Sequence, residues 1–486
     1  MRSAVADLSP SSLWSHFDRL TQVPRPSRKE ERVRAWVFDW AQTERLETRE
    51  DDVGNIVVVV PATPGREAAP IVALQSHLDM VCEKNKGVEH DFDRDPIRTA
   101  ISDGWVVAEG TTLGADNGIG VAAAMAAAID PDVSHGPLEL LFTVDEETGL
   151  IGATHLDPAI VHGRILLNLD TEEDGVLCVG CAGGSDTHLS LALERETARP
   201  DAVQRRLVLS GLRGGHSGMT IHENRGNAVR LLARILEDAL QHDLPFAVCD
   251  IECNAKPNAI PRETESLLAL NEDCLEAWEA HVERWRSTLA AELAGVDEGA
   301  RLDLVAADPS GKPLTQDSMR NLVRLILTLP CGVVAMSPTI PGLVESSSNV
   351  ATVRCGEDSV TIVTSSRSSL APALESIRAS IRSSAQLAGA AWHVEDGYPG
   401  WQPDPASPVT EVLRGVYREL WGKDPRVTAV HAGLECGLLG ERVPGLDMIS
   451  FGPTIEGAHS PDERVEIASV ERFWRALGLA LDRLSA

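Results

Sequence analysis

A histidine and an aspartate two residues apart close an apolar run in IVALQSHLDM, residues 71–80. Such a run reads as a buried strand. Side chains at i and i+2 of a strand share a face, so His77 and Asp79 project together from its carboxyl end. An imidazole beside a carboxylate that can orient it is a unit of metal sites, in which the ring ligates and the acid steers. Alone the pair is a weak signal. Further acids and histidines also end apolar runs or sit in tight turns: Asp116, Asp145, Glu146, Glu147, Asp170 and His459. Five members of this set suffice for two metal ions with one carboxylate bridging them. Two ions about 3.5–4 Å apart polarise a carbonyl and lower the pKa of a shared water, and a carboxylate alongside is then needed to take that water's proton. The neighbours Glu146 and Glu147 suit this division, one ligating and the other facing the water. Mixed imidazole and carboxylate ligands favour Zn²⁺, Mn²⁺ or Co²⁺ over Ca²⁺.

Single acids after strands are usually helix caps or solvated turns, and Asp145, Glu172, Glu173 and Asp174 are assigned to that class. His135, His155, His162 and His242 fall in turns or on helix surfaces and receive no role. Nine scattered cysteines do not form a disulfide framework. Cys178-x-x-Cys181 and the pair Cys249 and Cys253 lie too far apart, in strand-like text, for a cysteine–zinc site, and read as buried thiols.

The elements that must position the acids alternate. A helical pattern over 10–43 is broken at VPRPS, residues 23–27. Strands are expected at NIVVVV (55–60), at the opening run and at WVVAE (105–109). In TLGADNGIGVAAAMAAAI, residues 112–129, a turn leads into a helix apolar nearly all round, which must be buried against a sheet. Its glycines do not match a phosphate loop, because no Lys-Ser/Thr follows. LELLFTVDEETG and RILLNLDTEEDG are buried strands ending in acids. This alternation predicts an α/β domain with a mainly parallel central sheet, its chemistry at the carboxyl ends of the strands. From about residue 187 the text changes to alternating, half-exposed strands and amphipathic helices, an α+β pattern with one sheet face in water. The first style returns in HAGLECGLLG, LDMISFGPT and GAHSPDERV. The economical organisation is a catalytic domain over 1–186 and 395–486, interrupted by an inserted domain over 187–394.

Taken together, HLDMV, GADNGIG, DEETGLIGA, NLDTEEDG, GGHSG and GAHSPDE resemble the metallopeptidase family of aminoacylases, glutamate carboxypeptidases and dipeptidases, over essentially the whole chain. HLDMVCEKN, LVESSSNV, YPGWQP and HAGLECG resemble its aminoacyl-histidine (Xaa-His) dipeptidase branch. The resemblance implies a di-zinc peptidase domain with an inserted lid. It implies one ion held by His77 and Asp170, a second by Glu147 and His459, and Asp116 bridging them. Asp79 would orient His77, Glu146 would be the general base, and a cis peptide would follow Asp116. In the lid, His216 would stabilise the oxyanion, and Asn258 and Arg367 would contact substrate. At Asn258 the run CNAKPNAIPRE is less glycine-rich than the family's pattern. The physical chemistry agrees: a donor aimed at developing charge is most effective in a dry site, and an arginine fork fits a C-terminal carboxylate. His431 and Glu435 are expected at the substrate's amino end, where an α-ammonium needs an acidic partner.

The formal net charge of −29 disfavours nucleic acid and anionic membranes as partners. No apolar run is long enough to span a bilayer, and MRSAVADLSPSSLWSHF lacks a signal's apolar segment, so a cytoplasmic location is expected. The activity implied is hydrolysis of unblocked dipeptides, Xaa-His among them, with Zn²⁺ first and Mn²⁺ or Co²⁺ as alternatives. Competing readings are an N-acyl amino acid amidohydrolase or tripeptide aminopeptidase of the same fold, and a non-catalytic metal- or peptide-binding protein. The partner expected is a small peptide. Monomer and homodimer both remain open, as does whether His216 acts within its own chain or across a dimer.

Overall fold

The computed structural model describes residues 4–199 and 201–486. Contacts divide the chain into two compact units: Met1–Cys181 with Trp401–Ala429 and Leu434–Ala486, and Ala182–Gly400 with Val430–Gly433. The chain passes between them at 181/182 and 400/401, a few residues outside the boundaries expected at 186/187 and 394/395, and again at 429/430 and 433/434. The reason is local: Gly183 already pairs with Ser368 in the second unit's sheet, and Gly184 exchanges backbone hydrogen bonds with Tyr398.

The first unit is built on an eight-stranded sheet of β1 (Glu47–Glu50), β2 (Ile56–Val60), β3 (Val72–His77), β4 (Leu138–Thr143), β5 (Ile165–Asn168), β6 (Val176–Cys181), β7 (Arg426–Val430) and β8 (Asp447–Ser450). Its spatial order is β1-β2-β4-β3-β5-β8-β6-β7. The four central strands, β4-β3-β5-β8, are parallel, while β1, β2 and β6 pair antiparallel at the flanks. β3 and β4 are buried along their whole length, which explains why their sequences run apolar without alternating. Register sets His77 opposite Thr143 and Gln75 opposite Asn168, so adjacent parallel strands end at one level. Helix α1 (Ala115–Ile129) is buried from Ala115 to Met125 and beyond to Ala127, as its all-round apolar sequence requires. It packs on β3.

The second unit is an antiparallel sheet of nine strands. Helices Ala228–Gln241, Leu275–Glu292, Gln316–Thr328 and Ala371–Ala388 share a core with it that includes Leu207, Leu236, Leu268, Trp278, Leu322, Val353 and Ile381. Strand Gly183–Ala192 alternates buried with half-exposed or exposed positions from Ser185 onward, the signature of a sheet covered on one face. Among the described residues, no helix is long and apolar enough to cross a membrane.

Candidate active site and metal centre

The carboxyl ends of β3, β4 and β5 deliver His77, the Glu146–Glu147 pair and Asp170 to one place. The turn before α1 adds Asp116, and a hairpin near the C-terminus adds His459. Ligand atoms of His77, Asp116 and Asp170 lie within 4.8 Å of one another, as do those of Asp116, Glu147 and His459. Asp116 belongs to both groups. His77 Nε2 is 3.0 Å from Asp116 Oδ1 and 3.5 Å from Asp170 Oδ1. His459 Nε2 is 3.2 Å from Asp116 Oδ2 and 2.9 Å from Glu147 Oε2. The Asp116–Asn117 peptide is cis, and Asn117 Nδ2 is anchored on the carbonyl of Leu169 at 2.8 Å.

His77 and Asp79 divide their tasks. Nε2 of His77 faces the carboxylates, while Nδ1 faces Asp79, 3.2 Å from its carbonyl and 3.4 Å from Oδ1. Asp79 is fully buried and also accepts the N–H groups of Glu146 at 3.0 Å and Glu147 at 3.2 Å. Its carboxylate therefore lies against the ring and ties down the backbone of both glutamates. Burial alone would raise its pKa, but the hydrogen bonds and charge of His77, with the N–H of Glu146, hold it at about 2.

The donor set fits divalent cations. Glu147 Oε1 and Asp170 Oδ1 are buried and accept no hydrogen bond; such atoms are costly unless a partner completes them. The electrostatics point the same way. With four carboxylates converging (Asp116, Glu146, Glu147 and Asp170), protons are drawn to the positions a cation would neutralise. Hydrogen bonds to Asp116 and Glu147 lift His459 to about 11. His77 is raised well above its ordinary value, because Asp170, Asp116 and Asp79 outweigh its desolvation. Burial chiefly, then the charges of Asp116 and Glu147 against that of His77, raises Asp170 to about 6. Burial, together with Asp170, Glu435 and Glu147 and against His77, lifts Glu146 well above the carboxylate range. Ligand atoms of His77, Glu146 and Glu147 also lie within 4.8 Å of one another, whereas a separate acidic group, Glu30, Asp79 and Asp145, is explained without an ion. Glu30 accepts the N–H groups of Arg28 and Asp145, and Asp145 bonds Arg28 and Thr148.

Other residues frame the site without having been singled out by the sequence. Gln75, in the opening run itself, donates from Nε2 to Glu435 Oε2 at 2.6 Å, and Thr143 donates to the same oxygen at 2.9 Å. Glu435 starts helix α2 (Glu435–Arg442), is 2% exposed, and keeps its other oxygen unpartnered. Burial above all raises its pKa to about 7. Buried Arg25 donates to the carbonyls of Leu78 at 2.9 Å, Asp79 at 2.7 Å, and Gly114. Glu463 accepts N–H groups of the Asp116 turn. Gly114 has φ +69°, and a Cβ there would lie 2.5 Å from Arg25 Nη2. Of the acids set aside, Glu172 and Glu173 are exposed, and Asp174 pairs with Arg472 at 2.5 Å.

In the second unit, His216, Arg367 and His431 surround Gly218: a Cβ on that glycine would meet His431 O at 2.2 Å, His216 Cε1 at 3.2 Å and Arg367 Cδ at 3.3 Å. His216 Nδ1 accepts the N–H groups of Gly218 at 3.1 Å and Met219 at 3.0 Å. That fixes the neutral tautomer with the proton on Nε2. Burial, and then the charge of Arg367, lowers its pKa. Arg367 is 8% exposed, donates from Nη1 to Tyr398, and has a buried Nε without a partner. It lines a cavity of about 320 Å³ with Asn258, Tyr398 and Asp186. Asn258 is exposed, and its carbonyl receives the N–H of Ser217 at 2.8 Å. His431 sits 2.7 Å from Ser347 Oγ, and burial followed by Arg367 and His216 lowers its pKa to about 3. A neutral imidazole at this position is not itself the acidic partner expected for an ammonium; of that expected pair only Glu435 carries a carboxylate.

The chain matches the model of peptidase family M20/M25/M40 over residues 73–483. It is 40% identical to the cytosol non-specific dipeptidase of Escherichia coli (strain K12) over 486 residues, covering 100% of both chains. The crystal structure of aminoacylhistidine dipeptidase from Vibrio alginolyticus superposes with a TM-score of 0.92 at 37% identity, covering 99% of this chain and 98% of that one. A tripeptidase from Staphylococcus aureus shares the fold with a TM-score of 0.60 at 15% identity, covering 98% of this chain and 99% of that one.

Proposed function

The chain belongs to peptidase family M20/M25/M40, and on that premise we propose that it is a metal-dependent dipeptidase acting on unblocked dipeptides, Xaa-His among them. One observation carries the mechanism: two groups of potential ligands share Asp116, with Glu146 beside them. In this reading His77, Asp116 and Asp170 would hold one divalent ion, and Asp116, Glu147 and His459 would hold the other. Zn²⁺ is the first candidate. When bound, the ions supply Lewis acidity toward the scissile carbonyl and toward water.

The chain's own residues do the rest. Glu146 takes the proton of the attacking water on a carboxylate oxygen and passes it to the leaving amine nitrogen. Asp79 holds His77 by its Nδ1 side and fixes the backbone of Glu146 and Glu147. His216, locked with its proton on Nε2, donates to the oxygen of the tetrahedral intermediate, where charge develops. Arg367 has donors to spare, held in place through Tyr398, and receives the substrate's C-terminal carboxylate. Glu435, fixed by Gln75 and Thr143, offers its free oxygen to the substrate's ammonium. His431 lies beside Arg367, and Asn258 lines the same cavity.

The test is a substrate panel on protein loaded with Zn²⁺, Mn²⁺ or Co²⁺. Hydrolysis of free dipeptides, with slow or no turnover of N-acyl amino acids and tripeptides, supports this reading. Preference for either competitor would replace it with an amidohydrolase or tripeptidase. Stoichiometric metal with no hydrolysis of any of these would indicate a binding protein.

A further inference from the structure

The turn that presents Asp116 directs four successive N–H groups at one side chain. Glu463 Oε2 accepts Leu113 N at 2.7 Å and Gly114 N at 2.8 Å; Oε1 accepts Ala115 N at 2.7 Å and Asp116 N at 3.2 Å. Glu463 is 3% exposed. Donors at the start of a helix lack intrahelical partners, and helices usually satisfy them with a neighbouring Ser, Thr, Asn or Asp. Here the acceptor comes from a segment about 350 residues away, and it is a full carboxylate. Stability alone does not favour that choice, because a second buried negative charge beside Asp116 is repulsive. A site that receives cations reverses the sign of that effect.

The segment bearing Glu463 also bears His459. Strands Ile455–Glu456 and Arg464–Glu466 pair antiparallel, Ile455 opposite Val465 and Glu456 opposite Arg464, so both residues ride on one hairpin. From it, His459 Nε2 reaches the side chain of Asp116 at 3.2 Å, while Glu463 holds its backbone. Arg25 completes the clasp, taking the carbonyl of Gly114 whose N–H goes to Glu463. Both faces of the turn are therefore tied to other parts of the site by buried, charged side chains.

We propose that Glu463 is a positioning residue that fixes the shared Asp116 and locks it in register with His459, so that both ligand groups are formed before any ion enters. The proposal rests on the metal-binding reading above, and the experiment separates the two. Full-length wild type and Glu463→Gln are stripped with EDTA and titrated with Zn²⁺ against a chromophoric chelator. Metal-free thermal stability and hydrogen exchange of amides 113–116 are measured alongside.

Glu463→Gln keeps the shape of the side chain but turns one acceptor into a donor facing N–H groups. The expected result is two Zn²⁺ per wild-type chain and a loss of about 10–100-fold in affinity for the more weakly held ion in the variant. The variant should stay folded when metal-free, and amides 113–116 should be protected in metal-free wild type and exposed in the variant. Unchanged affinity for both ions would overturn the proposal, as would rapid exchange of these amides in metal-free wild type, a measurement that stands even if the variant does not fold. Wild type that binds no Zn²⁺ would instead fail the metal reading, and this inference with it.

Discussion

Replacing Asp79 with Asn removes one charge and changes almost no volume, which makes it a sharp probe of how the site is held. The carboxylate is fully buried, faces Nδ1 of His77, and accepts one N–H on each oxygen, from Glu146 and Glu147. Asn can satisfy only one of those N–H groups; its NH₂ must face the other, or face His77. A charge-assisted hydrogen bond of this kind contributes about 1.5–3 kcal/mol. Its pKa gives an independent figure for the metal-free protein. Held at about 2 against an ordinary value near 3.9, the carboxylate contributes about 2–3 kcal/mol to folding at neutral pH. Because the folded-state pKa is the lower one, that contribution is complete above about pH 5 and fades as pH falls through 4 toward 2. Denaturant unfolding of metal-free Asp79→Asn should therefore show a deficit of about 2–3 kcal/mol that is constant from pH 8 to 5 and closes below pH 4. In chelator competition, affinity for metal should fall about 10–100-fold. A variant with wild-type metal affinity and turnover would refute the orienting role.

Other perturbations separate the remaining roles. His216→Ala should lower kcat about 10²–10³-fold with little change in KM, as expected for an interaction made in the transition state; an unchanged kcat would remove it from the oxyanion site. Arg367→Lys should raise KM for dipeptides about tenfold or more through loss of the planar fork, while dipeptide amides, which lack the carboxylate, should be turned over as before. His431, with its pKa lowered to about 3 by burial and then by Arg367, stabilises the fold fully only above its unfolded value near 6.5, and that contribution declines as pH drops toward 3. Between pH 7.5 and 5 the loss is about 2 kcal/mol, and His431→Gln should flatten that part of the stability–pH curve.

Much of the site was legible because its parts end strands. His77, Glu146, Glu147 and Asp170 each follow a run too apolar for anything but a buried parallel strand, and register then brings them level. The parallel character proved confined to the middle of the sheet: the flanking pairings of β1, β2 and β6 are antiparallel, a feature that apolar runs do not encode. The supports were harder to see. Arg25 and Glu463 sit in polar text at VPRPS and HSPDE, and their partners are backbone groups remote in sequence, so neither periodicity nor spacing reveals them. Position within a motif was the available signal, since Glu463 falls four residues after His459. Gln75 was hidden for another reason: a lone amide in a buried strand reads as a packing detail until Glu435 arrives from the other end of the chain. His431 shows how burial changes chemistry, as the imidazole is kept neutral beside Arg367.

The central claim is that Glu146 moves the proton while its neighbours hold metal. Glu146→Gln, isosteric and unable to accept that proton, should bind two divalent ions per chain as wild type does and lose about 10³-fold or more in kcat on a dipeptide. The contradicting result is a variant with intact metal content that retains near-wild-type turnover.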